Sequence, residues 1–150
     1  MVNKTSSLQP LKLKAEDLQD LSVISTFLQD ALVPFIGMQY NPSTHQFSML
    51  THRFRWEENP LIQKGVSSYE RIQSFFHVHH VTDVKTHGIT DPHNPNQILN
   101  LLAVTHEKNY MILTFSGDIH IQLNVEKISA HIKDDDSVTW PTSLKPHHPD

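Results

Sequence analysis

Apolar residues recur at two different spacings along this chain, and the change between them divides it. From about Ala15 to Val33, Leu18, Leu21, Ser25, Leu28 and Leu32 follow at intervals of three and four, with Ile24 and Ala31 widening the stripe. That spacing predicts an amphipathic helix. Glu16, Asp17 and Asp20 put negative charge in its first turns, where the helix dipole favours it, and Pro34 with Gly37 ends it. Gln19, Ser22 and Asp30 mark the wet side.

After Gly37 the period changes to that of strands. Met38 and Tyr40 lead into Asn41-Pro42-Ser43-Thr44, which is turn chemistry, and Phe47-Ser48-Met49 returns. The alternation then breaks: Phe47 and Met49 share one face, whereas Leu50, Phe54 and Trp56 share the other. Either both faces are covered or a bulge shifts the phase near Leu50 to His52, and the bulge is the favoured reading. Residues Glu57 to Glu70 read as a long loop. A strand follows from Arg71 to about His80, then a shorter one from Val81 towards Gly88-Ile89, and a loop at Thr90 to Gln97. Ile98 to His106 is apolar on both parities, as in a strand covered on both sides. Tyr110 to Ser116 returns after Glu107-Lys108-Asn109. Ile119, Ile121, Leu123 and Val125 then alternate with His120, Gln122, Asn124 and Glu126 in the clearest half-buried strand. Ile128, Ala130 and Ile132 read as a final strand in preference to a helical turn.

One helix followed by hairpin-linked strands predicts an α+β fold. The expected form is one N-terminal amphipathic helix packed on a curved, mostly antiparallel meander sheet of about seven strands, curling towards a barrel. The 150 residues suit a single domain, with residues 1–12 a flexible N-terminus and 134–150 an extended C-terminal tail.

Composition narrows the chemistry. There is no cysteine, which removes disulfides and thiolate chemistry and fits a reducing, cytoplasmic setting. No apolar run approaches the ~20 residues that span a bilayer, so no membrane association is expected. The formal charge of −4 makes nucleic acid an unfavoured partner. Twelve histidines outnumber that deficit, so mild acid reverses the sign of the charge, and solubility should be lowest near the sequence pI of 6.3.

Two constellations carry candidate chemistry. In His77-Val78-His79-His80, strand geometry points His77 and His79 to one face, a spacing that suits two ligands of one Zn²⁺. His87, His93, His106 or His120 would supply a third; chance placement of exposed histidines is the plainer explanation. Arg53, Arg55 and Trp56 close the first hairpin as a cationic and aromatic patch able to clamp an acidic partner, with Arg71 and Lys85 joining only if their strands lie alongside. The plainer reading there is a strand end with solvated arginines and a Trp on the core edge. The run Asp134-Asp135-Asp136 reads as a solvated tail. HExxH, GxSxG, GxGxxG and P-loop patterns are absent, and no catalytic residue is assigned.

The segments LKLKAEDLQDLSVISTFLQDALVP, RFRWE, DVKTHGI and LNLLAV, the G-x-I-x-L-x-V-E run and the WPT…P-x-H-P tail resemble, in that order, a bacterial family catalogued as domain of unknown function 2948. The resemblance spans nearly the whole chain and implies one compact cytosolic domain, with no reaction, cofactor or catalytic residue attached. His77, His79, His80 and His87 depart from the arginines and other charged residues of the family pattern, which weighs against a family-wide zinc site; Gly37 stands where an aspartate is expected. The leading expectation is a non-enzymatic binding or interaction module acting on an unknown protein partner or on a second copy of itself. A histidine-based metal-binding protein is the alternative, and a small-molecule or catalytic pocket between helix and sheet is the third reading.

Overall fold

The computed structural model describes residues 10–56, 69–91, 93–94 and 96–142. Of the loop predicted at Glu57 to Glu70, residues 57–68 lie outside the described residues, as do most of the predicted flexible N-terminus and the last eight residues of the expected tail, whereas residues 69 and 70 belong to a strand instead of that loop.

Among the described residues, one α-helix, a short 3-10 turn at Phe35–Gly37 and ten strands make up the fold: β1 (Lys12–Ala15), α1 (Leu18–Leu28), β2 (Ala31–Pro34), β3 (Met38–Asn41), β4 (Gln46–Phe54), β5 (Tyr69–Val78), β6 (Val81–His87), β7 (Ile98–Glu107), β8 (Tyr110–Phe115), β9 (Ile119–Val125) and β10 (Ala130–Thr142). The strands form one antiparallel sheet in the order β1-β10-β5-β4-β2-β7-β8-β9-β6, with β3 paired to β4 beside β2. A single helix with a mostly antiparallel sheet is as expected. With ten strands to one helix, however, the described residues are mostly β rather than the expected α+β fold, the strands outnumber the expected seven, and the sheet does not close into a barrel. β2 falls in the stretch whose spacing predicted helix, β3 is the strand expected before the Asn41–Thr44 turn, and β1 and β6 end the sheet without pairing to each other.

The predicted helix is too long at both ends. Asp17 caps α1, its side chain accepting from the Asp20 amide at 2.8 Å. The chain leaves the helix after Leu28, where Asp30 adopts a left-handed φ of 64° and donates its amide to Leu101 O at 2.7 Å. Ala31 to Pro34 then pair with Leu101 to Ile98 of β7. Buried Ala31 and Val33 serve the period of a strand, while Leu28 and Ala31 happen to keep the spacing of a helix. Leu21, Ile24 and Leu28 are the buried stripe of α1, and the Val104 amide, close to a register shift in β7, donates to Ser25 Oγ at 2.9 Å.

The first hairpin forms as predicted. Asn41 Oδ1 accepts from the Ser43 amide and hydroxyl, and Met38 to Asn41 pair with Met49 to Gln46. The favoured bulge at Leu50 to His52 is absent. β4 pairs with β5 in unbroken register from Phe47–Val78 to Phe54–Arg71. Phe47, Met49, Thr51 and Arg53 form one continuous buried face; the phase seems to break on hydropathy only because its last two members are polar. Phe54 is covered on the other face, where its ring meets Trp56 edge-on at 4.6 Å.

Both halves of the sheet face one core, with Phe47, Met49, Phe76 and Ile132 from one side, Leu101, Leu113, Phe115 and Leu123 from the other, and α1 packed over β1 and β7. The turn at His45 closes the gap locally: the Val81 amide donates to His45 O at 2.9 Å and Tyr40 Oη to Val81 O at 3.0 Å.

Candidate functional site

The sheet presents the same solvent-facing side along β1, β10, β5, β4 and β3, and its register sets side chains in rows. Lys14 pairs with His131, His131 with His77, His77 with Ser48 and Ser48 with Gln39, so five adjacent strands contribute one polar row. Two residues away, Lys12 pairs with Lys133, and Lys133 with Phe75. Lys12, Lys14 and Lys133 are exposed. Like charges directly opposite oppose sheet pairing, so this edge carries a positive charge the fold does not need. Asp135, which accepts from Gln73 Nε2 at 3.4 Å, lies on the same face beyond Lys133.

Within the row the imidazoles converge. His77 and His131 stack with ring centroids 4.7 Å apart, and His79 stacks on His131 at 5.2 Å. His79 Nε2 stands 3.2 Å from His131 Nδ1, and His79 Nδ1 stands 3.3 Å from Gln46 Nε2. Two imidazole nitrogens at that separation share one proton, so one ring donates and the other accepts. Burial lowers the pKa of all three rings. Repulsion adds to it, from His79 on His77, from His80 and Lys14 on His79, and from His77, His79, Lys14 and Lys12 on His131. At neutral pH the three rings therefore favour their uncharged form.

Expected partners His77 and His79 are thus together, but their third member is His131 rather than His87, His93, His106 or His120. His87 and His120 instead stack on each other at 4.6 Å across β6 and β9. The clue to His131 was its place in the alternating run Ala130-His131-Ile132, which points it outward; the pairing of β10 with β5 that brings it to His77 has no local signature. Among the described residues, no group of three His, Asp or Glu side chains is arranged to hold a metal ion.

The arginine patch is in a different place from the one expected. Arg53 is fully buried and forms a two-point ion pair with Asp134, Nε to Oδ1 at 2.9 Å and Nη2 to Oδ2 at 2.8 Å. Asp134 also accepts from Ser74 Oγ and from the Leu11 amide, so the expected solvated tail begins as an interior strand. Arg55 is nearly buried, and the Trp56 indole donates to Gln29 O at 3.1 Å, fastening β4 to the end of α1. Arg71 pairs with Phe54 in register and donates to His52 O at 3.0 Å, while Lys85 lies away on β6. Burial of these arginines removes them from a surface clamp and makes them the polar part of the interior.

An open hollow of about 650 Å³ lies outside β2, β7 and the β8–β9 turn, lined by Leu32, Ile98, Asn100, Ser116 and Ile119. No residue of α1 lines it, so it is a different place from the helix–sheet pocket of the third reading. No helix among the described residues is long and apolar enough to cross a membrane.

No curated protein matches the chain. A family model described as protein of unknown function (DUF2948) matches residues 11–148, from the first residue of the ladder with Asp134 to beyond the end of β10. The chain belongs to the DUF2948 family.

Proposed function

We propose that the protein is a non-enzymatic binding module whose working surface is the row Lys14–His131–His77–Ser48 with His79 and the flanking Lys12 and Lys133, and that its ligand is an acidic segment of a protein partner. The observation that carries this reading is the placement of Lys12 opposite Lys133 beside three stacked imidazoles. A sheet face with side chains from five strands gives an extended anionic chain many contacts at little ordering cost to the module itself. Protonation of the histidines would strengthen the attraction in mild acid and salt would weaken it. The test is affinity capture from the native cell with wild type and with Lys14→Glu/His131→Glu. A partner retained by wild type, lost in the variant and released by salt supports the reading; equal recovery by both removes it.

A second reading, metal binding through His79 and His131, is favoured by one distance. Zn–N bonds of about 2.0–2.1 Å at a tetrahedral angle set ligand nitrogens about 3.3–3.4 Å apart, and these two stand 3.2 Å apart. Lowered pKa values reduce proton competition, although Lys14 beside the pair opposes a cation. Titration calorimetry with Zn²⁺ separates the two: heat in wild type that vanishes in His131→Ala supports metal, and buffer-level heat excludes it.

A further inference from the structure

The open sheet has two ends, and they differ. β1 is four residues long and is backed by α1. β6 is seven residues long and has one ladder, to β9. Its start is capped by the β3–β4 turn, where Val81 meets His45. Its end is fixed by Gly88, whose φ of 85° turns the chain against Asp118, where a β-carbon would collide with backbone. Between these stops, the outer edge from Thr82 to His87 has no strand partner among the described residues. An unpaired edge of this length is a template for another strand.

We propose that this edge pairs antiparallel with the same edge of a second copy, about a twofold axis at Val84. The side chains select that register. Asp83, Lys85 and His87 share the solvent-facing side, opposite Asn124, Gln122 and His120 of β9, and Val84 faces the core side. A twofold pairing that keeps this side facing out must centre its axis on a residue. Centred on Val84, it sets Asp83 of each copy opposite Lys85 of the other, giving two complementary pairs, with Thr82 opposite Thr86. Moving the axis one residue either way sets Asp83 opposite Asp83 or Lys85 opposite Lys85. Only the Val84 register satisfies the charges, so the occupant is a second copy rather than a strand of arbitrary sequence.

Sedimentation of the full chain tests this, comparing wild type with Asp83→Lys, Lys85→Asp and the double exchange. The expected result is a concentration-dependent dimer, weakened about tenfold by either single change through two like-charge pairs and restored by the double exchange. Because the chain has no native cysteine, Val84→Cys reads the same contact without altering charge. It should form a covalent dimer under mild oxidation, whereas Gln39→Cys, an exposed position outside β6, should not. A wild type that sediments as a monomer from micromolar to millimolar concentration overturns the proposal. So does a dimer indifferent to the single changes or not restored by the double one, or a Val84→Cys chain that stays monomeric.

Discussion

Arg53 and Asp134, 81 positions apart in sequence, meet in the interior through two hydrogen bonds of 2.9 and 2.8 Å, and neither side chain reaches solvent. This pair explains much of the fold. It ties the end of β4 to the last strand, and the Leu11 amide, donating to the same carboxylate at 2.8 Å, brings β1 to the sheet. Burial of itself favours the neutral acid, but hydrogen bonding and the charge of Arg53, with Ser74 and the Leu11 amide, hold the Asp134 carboxyl below its ordinary value.

Removing one partner leaves the other charge buried. Asp134→Asn should therefore destabilise the protein by about 3–5 kcal/mol, whereas Arg53→Met with Asp134→Leu should recover most of that loss. Urea unfolding of Arg53→Met, Asp134→Leu and the double variant measures the coupling. Additive losses would show that the pair is not an interacting unit.

The same carboxylate gives acid sensitivity of known sign. A depressed folded pKa means that Asp134 stabilises fully above the unfolded value of about 3.9 and ceases to as pH falls through its lower folded value. Asp134→Asn should flatten the acid limb of the stability curve below about pH 4, and a limb of unchanged slope would contradict this.

The histidine row gives a second, separate window. His77, His79 and His131 have folded pKa values below the usual 6.5, so the unfolded chain binds the extra protons. Their stabilising effect is complete above about 6.5 and is lost as pH falls through that value towards the folded ones. His77→Gln/His131→Gln should reduce the drop in thermal midpoint between about pH 7.5 and 5. An equal drop in wild type and variant would show that these rings do not control it.

The corrected helix boundaries can be tested by truncation. Ile24→Ala removes a wholly buried side chain and should cost about 2–5 kcal/mol. Leu18→Ala, at a residue 59% exposed, should change stability by less than about 0.5 kcal/mol, although both belong to the same sequence stripe. Denaturant midpoints distinguish these outcomes.

These residues show what could be read from the chain and what could not. The Asn41–Thr44 turn and the alternation of Ile119 to Val125 are local, and both are seen as expected. Thr51, Arg53 and Asp134 are polar residues on buried positions that hydropathy assigned to bulge, surface and tail, and buried Ser74 joins them from β5. Their burial depends on each other across the β4–β5 and β5–β10 ladders, and such distant pairings leave no periodic trace. The same holds for the binding face. Strand alternation was enough to place His77 and His79 on one side, but His131 joins them only through a ladder spanning more than 50 positions of sequence.

The proposed binding face rests on charge, so charge reversal in the native partner mixture tests it most directly. Affinity capture with wild type and with Lys14→Glu/His131→Glu, both shown to be folded, should recover an acidic partner with wild type alone. Recovery should rise as pH is lowered towards 6 and fall as salt is raised. The same partners recovered in equal amounts by both chains, at either pH, would contradict the account.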